Sequence, residues 1–197
     1  MNRSPMRSKQ STAKKHVSGS WRRSLSSLLH TDQLGRAIGS VLTGGESLAL
    51  SGALGAGKTA LVRGIAAGLG APAEAVSSPT FVLLHEYRGR LPFAHLDLYR
   101  LHSEQEAESI GLDDYLTGST VVAVEWADKA PQILPDDRLE MELRHRTVQS
   151  RSIRFTATGP LSAALLARIK NHCASLGTNG GRSVRRGRQQ LKRKASP

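Results

Sequence analysis

The stretch "GALGAGKT", Gly52 to Thr59, constrains this chain more than any other feature. It satisfies Gly-x4-Gly-Lys-Ser/Thr in full. An apolar run, "ESLALSG", leads into it, and an amphipathic segment, "KTALVRGIAAGLG", leads out. Strand, glycine loop, helix is the order in which a chain can hold phosphate with its backbone. The glycines let successive N–H groups turn inward onto one anion, and the helix that follows adds the positive end of its dipole. In this reading the backbone of Leu54, Gly55, Ala56 and Gly57 cradles the phosphates. Lys58 supplies a point charge to the outer ones, and the Thr59 hydroxyl is a ligand for Mg²⁺.

The flanking sequence builds a sheet around that loop. "TDQLGRAIGSVL" spaces Leu34, Ile38 and Val41–Leu42 as a helix, with Thr31 as its N-cap. In the loop helix Leu61, Ile65 and Leu69 share a face, and Gly70 ends it. The turn-rich "VSSPTF" runs into "VLLHEY", the turn "RGR" and "LPFAHLDLY", which together predict an antiparallel hairpin. Ser103 and Glu106 form a capping box that predicts a further helix start. "VVAVEW" predicts a buried central strand, "RLEMELRH" and "SIRFTAT" half-exposed strands, and "LSAALLARIKNH" a closing amphipathic helix. The expected class is α/β: a P-loop NTPase-like three-layer sandwich with a mixed central sheet.

The net charge of +12 over 197 residues suggests nucleic acid until it is mapped. Residues 1–23 and 182–197 hold seven Lys/Arg each and no acid, whereas 24–181 hold 14 basic and 16 acidic residues. Both ends are poor in large apolar groups, so the expected organisation is a basic disordered tail over 1–23, one ATPase domain over 24–175, and a second basic tail over 176–197. The tails are the candidate RNA contacts. The N-terminal tail is Arg- and Ser-rich like a transit peptide. No apolar run approaches the ~20 residues that cross a bilayer. The single cysteine, Cys173, fits a reducing compartment.

A phosphate loop hydrolyses nothing without carboxylate support for the metal. Glu125 follows "VVAV" directly and is expected at a strand's C-terminal edge, where ligands gather in open α/β sheets. Asp97, in "AHLDLYR", is the second candidate. Thr80, in "SSPTF", stands where switch-type loops offer a hydroxyl to the γ-phosphate or metal. His85, His95 and Tyr99 have either a functional or a packing role open to them, and His95 and Tyr99 share a strand face with Asp97 by period two. No Asn-Lys-x-Asp segment for reading guanine occurs in the chain, which argues against a GTPase. A P-loop kinase for a small metabolite is the alternative enzyme, and an RNA-binding module acting through the tails is the alternative without catalysis.

The ordered series "GALGAGKT", "SSPTFVLLHEY", "FAHLDLYRL", "ESIGLDDYL" and "VVAVEWADKAPQILP" resembles the TsaE (YjeE) family over about residues 28 to 158. The resemblance implies a P-loop fold that binds ATP with Mg²⁺, in the bacterial cytoplasm. It further implies an ATPase that is weak alone and active on the TsaB–TsaD heterodimer. That assembly modifies with threonylcarbamoyl the adenosine beside the anticodon in tRNAs reading ANN codons. Carried over, Leu54 to Thr59 wrap the phosphates, Thr59 and Glu125 hold Mg²⁺, Asp97 supports catalysis and Thr80 belongs to a switch-like loop. Trp126 matches the family's Glu-Trp pair, in packing or in partner contact, and Leu28 to Thr31 match an element near the adenine. One departure is Ala53, where family members usually carry Asp or Glu; a backbone cradle tolerates it.

Overall fold

The computed structural model describes residues 19–72, 76, 84–101, 105–106, 109–116 and 118–191. Seven strands form one mixed sheet in the order β1-β7-β6-β2-β5-β4-β3. They are β1 (Gly19–Leu25), β2 (Ser47–Ser51), β3 (Leu84–Arg88), β4 (Pro92–Asp97), β5 (Val121–Glu125), β6 (Leu139–His145) and β7 (Arg151–Ala157). The inner four, β6, β2, β5 and β4, run parallel. Antiparallel pairs close both flanks, β3 on β4 at one side and β7 then β1 at the other. The predicted hairpin of β3 and β4 pairs Leu84 with Leu96 and Arg88 with Pro92.

Alternation along the strands divides the interior into two cores. Leu48, Leu50, Val121, Ala123, Leu139, Met141, Ile153 and Phe155 face three helices: α1 (Leu28–Val41), α2 (Lys58–Gly68) and α3 (Pro160–Leu191). Ala49, Val122, Val124, Ala94 and Leu96 face the other way. That second core is closed by Leu98, Leu101, Leu112, Ala127 and Leu134, from connections that carry three 3₁₀ turns among the described residues. The α/β class and mixed sheet are as expected.

Helices α1 and α2 meet backbone to backbone. Gly35 and Gly39 on one oppose Gly64 and Gly68 on the other, each pair one helical turn apart. A Cβ on Gly64 would lie 2.9 Å from Gly35 Cα and against the Asp32 carbonyl. A Cβ on Gly68 would lie 2.9 Å from Gly39 Cα. The phosphate-loop helix is thus seated at the closest approach two helices allow. Gly64→Ala forces them apart against packed Leu34, Ile38 and Leu61, an overpacking expected to cost about 3 kcal/mol. For a chain of this size that lowers the melting temperature by roughly 10 °C, readable by calorimetry.

Three local expectations change. Helix α1 begins three residues before Thr31: Ser27 is the N-cap and accepts a hydrogen bond from the His30 amide at 3.2 Å. Thr31 is buried in the first turn, its hydroxyl donating to the Ser27 carbonyl. Residues 19–23 belong to β1, not to a tail. Trp21 stacks on Phe155 at 5.2 Å between ring centroids, enough apolar burial to fix a short edge strand. The helix expected to close the domain runs on as α3 to Leu191, through most of the span read as a disordered tail. Its N-terminus is capped by Asp137, whose carboxylate accepts from the Leu161 and Ser162 amides at 2.7 and 2.9 Å. The capping box at Ser103 and Glu106 has its Ser103 outside the described residues. Among those residues, no helix is long and apolar enough to cross a membrane.

Candidate functional site: a phosphate loop beside a strand-edge carboxylate

Residues 52 to 57 leave the end of β2 and turn into α2. Gly52, Gly55 and Gly57 take φ of 135°, 75° and 103°, in the region that L side chains avoid. Gly52 is also pressed against the Leu143 backbone, and Gly57 against the Arg151 side chain, where a Cβ would sit 3.6 Å from Arg151 Cδ. The hairpin of β6 and β7 therefore buttresses the loop from behind. Gly57 caps α2 with no side-chain hydrogen bond, so the first amides of that helix point toward the loop mouth without a side-chain acceptor. Such a terminus favours an anion. Leu54 projects outward, 72% exposed, and Ala56 is buried.

Lys58 is nearly buried. Its ammonium donates to the carbonyls of Gly52 at 2.7 Å and Ala53 at 3.2 Å. It also lies 3.6 Å from the centroid of the Trp126 ring. Desolvation pulls the Lys58 pKa below its ordinary value, against the opposing pull of Glu125, Asp97 and Asp128.

Glu125 ends β5 and is 2% exposed. One carboxylate oxygen accepts from the Thr59 hydroxyl at 3.0 Å, and the other meets His95 Nε2 at 2.9 Å. Asp97 is the register partner of Glu125 across β4 and β5, so the two acids leave adjacent parallel strands at the same edge. Asp97 is buried and accepts from the Tyr99 amide at 2.9 Å. The ring of Tyr99, beyond the end of β4, packs on Trp126 with centroids 5.0 Å apart. Trp126 has φ of 56°, the single non-glycine residue with positive φ among those described. That conformation stores about 1–3 kcal/mol of strain in a bulky residue. It turns the chain sharply after Glu125 and lays the indole over Lys58.

The structure thus brings together Lys58, Thr59, Asp97 and Glu125 from α2, β4 and β5. Thr80 lies outside the described residues. His95 enters the cluster through Glu125; His85, its register partner on β3, meets the Tyr87 hydroxyl at 3.2 Å. Thr59 Oγ1 and the Glu125 carboxylate are hard oxygen donors of the kind Mg²⁺ selects, and they sit beside a cradle in which added Cβ atoms would be strained; the residues present fit the ion.

One residue of the neighbourhood was missed in the sequence. Arg151 is buried, and its Nε has no hydrogen-bond partner among the described residues. With Ser26, His30, Arg146 and His172 it lines a cavity of about 850 Å³ between α1, α3 and the β6–β7 hairpin. Leu28, at the start of α1, comes as close to the Gly57 position as Arg151 does. The signal was available: by period two, Arg151 shares the inward face of Ile153, Phe155 and Ala157.

Loop, lysine, hydroxyl and strand-edge acid on a mixed sheet define a P-loop nucleotide-binding protein. The comparisons narrow this further. The family model "Threonylcarbamoyl adenosine biosynthesis protein TsaE" matches residues 25–153. A relative from Bacillus subtilis, a tRNA threonylcarbamoyladenosine biosynthesis protein TsaE, is 42% identical over 129 residues, 65% of this chain and 80% of its own length. One of the same name from Nostoc is 46% identical over 106 residues, 51% of this chain and 64% of its own. The crystal structure of Bacillus subtilis YdiB superposes with a TM-score of 0.67 at 31% identity, covering 80% of this chain and 98% of that one. The chain belongs to the TsaE family.

Proposed function

We propose that this protein is a cytoplasmic, Mg²⁺-dependent ATPase that docks on a TsaB–TsaD heterodimer. In that role it supports threonylcarbamoyl modification of the adenosine beside the anticodon in tRNAs reading ANN codons. The observation that carries the reading is the 3.0 Å contact between the Thr59 hydroxyl and the Glu125 carboxylate at the mouth of the phosphate loop. Family membership supplies the pathway.

In this mechanism the amides of Leu54 to Thr59 receive the β- and γ-phosphates. Lys58 turns its ammonium from the loop carbonyls toward the outer phosphate. Thr59 and Glu125 would hold Mg²⁺, which would neutralise charge developing on the phosphate oxygens. Asp97, one register step across the sheet edge, orients the attacking water. His95 fixes the Glu125 carboxylate from below. Thr80 would reach the γ-phosphate from the loop before β3. Exposed Leu28, Leu54 and Tyr99 flank the loop and leave apolar surface for a partner at the nucleotide mouth.

The nucleoside end enters the cavity beside Gly57, where Arg151 meets it. Arg151→Ala removes a guanidinium with an orphan Nε, so little native bonding is lost. We expect the KM for ATP to rise about tenfold while kcat changes less than about twofold, the signature of lost uniform binding. Steady-state kinetics checks it.

The deciding experiment measures phosphate release by the purified protein with and without TsaB and TsaD from the same source. Slow turnover alone, raised by the heterodimer, supports the proposal. Transfer of phosphate to an added small-molecule acceptor rather than to water would favour a kinase instead. No stimulation by the heterodimer would remove the partner from the account.

A further inference from the structure

Among the described residues no helix covers the outer face of β1, β7 and β6, and the turn residues Ala127, Asp128, Pro131 and Leu134 flank it at Glu140 and Thr156. Its side chains are Ser20, Arg22 and Ser24 from β1, Ser152, Arg154 and Thr156 from β7, and Glu140, Glu142 and Arg144 from β6. Arg22 and Arg154 are register partners on neighbouring strands. Like charges directly opposite each other in a sheet are destabilising.

The acids on this face offset that repulsion only in part. Glu142, the other register partner of Arg154, is taken by Arg144 at 2.5–2.6 Å. Glu140 pairs with Arg138 at 3.1 Å. Among the described residues, neither Arg22 nor Arg154 has a hydrogen bond or ion pair. Both line a hollow of about 280 Å³ with Ser24, Glu142, Arg144, Arg146 and Ser152. The guanidiniums of Arg22 and Arg154 are thus held side by side on rigid strands in a hollow where arginines outnumber the one carboxylate.

We infer that this face is a docking surface for the sugar–phosphate backbone of RNA. The composition selects that partner. A protein interface is built around a buried apolar centre, and this face presents no large apolar side chain. Arginine with serine and threonine is the set that contacts phosphate and sugar without reading sequence. The basicity of the chain is therefore not confined to its ends: the folded domain, near neutral in sum, gathers Arg22, Arg144, Arg146 and Arg154 around one hollow with the single carboxylate of Glu142. The site lies on the sheet face opposite α2 and is independent of the nucleotide reading.

The test uses the full-length protein, so that the terminal charges are common to every arm. Labelled bulk tRNA is titrated by anisotropy across a salt series, with the parent and with Arg22→Gln/Arg154→Gln. The double variant is expected to bind about tenfold more weakly near 0.1 M salt. The slope of log Kd against log salt should fall by roughly 1.5, from two lost phosphate contacts. Its melting temperature should hold or rise, because a repulsive pair has been removed. ATP turnover should equal the parent's, which separates failure here from failure of the nucleotide site. Unchanged affinity and slope would overturn the inference, as would a drop in melting temperature that marks the arginines as structural. Binding to polyglutamate lost while tRNA binding is kept would assign the face to an acidic polypeptide and overturn it too.

Discussion

Lys58→Ala is expected to weaken ATP binding by at least about a hundredfold, near 2.7 kcal/mol, and to remove measurable turnover. The ammonium is the one cation that the loop itself contributes, and no described residue within it can substitute. The fold should survive the change. Alanine forfeits two hydrogen bonds to the Gly52 and Ala53 carbonyls and the contact with Trp126. It also abolishes the cost of holding a charge where desolvation opposes it. The two effects oppose each other, so a melting temperature within a few degrees of the parent is expected. Calorimetric titration with ATP and Mg²⁺, beside a thermal melt, separates lost binding from lost structure. Retained binding at parental affinity would show that the phosphates lie elsewhere.

The parts of this fold legible in the sequence are those where one local rule acts alone. The loop and its helix were readable because glycine spacing, a preceding apolar strand and helical periodicity coincide at Gly52 to Leu69. Glu125 was readable because an acid directly after four apolar residues stands at a strand end. Strand β1 was not, since "GSWRRSL" pairs only with β7, more than a hundred residues away, and looks like the basic run before it. Its burial rests on Trp21 against Phe155, a contact no local pattern announces. The N-cap was misplaced for a related reason. Thr31 and Ser27 are both good caps, and the choice between them is made by packing, which buries Thr31. The link of His95 to Glu125 needs β4 and β5 to be parallel neighbours, and topology decides that rather than composition. The glycine contact of α1 with α2 is visible as two Gly-x3-Gly steps, but its meaning appears only once the helices are seen to cross there.

Glu125→Gln is expected to lower kcat on the order of a hundredfold or more while the Kd for ATP changes less than about threefold. The split follows from where the carboxylate stands. Phosphate affinity comes from the loop amides and Lys58, which Glu125 does not touch by hydrogen bond. Its own bonds go to Thr59 Oγ1 and His95 Nε2, on the metal side. Glutamine keeps the shape and can still bond one of these partners, so the change isolates the negative charge from the packing. Glu125→Ala goes further and strips the half-buried Thr59 hydroxyl and the buried His95 imidazole of their common acceptor, at about 1–3 kcal/mol for the orphaned imidazole. Its melting temperature should fall well below that of the glutamine variant, although both lose hydrolysis. A single-turnover measurement with Mg²⁺ varied decides between a metal ligand and a water-orienting base. If Glu125 holds the ion, raising Mg²⁺ restores part of the rate; if the carboxylate only orients water, the rate stays low at every concentration. Hydrolysis left intact in Glu125→Gln would shift the carboxylate role to Asp97, its register partner on the neighbouring strand.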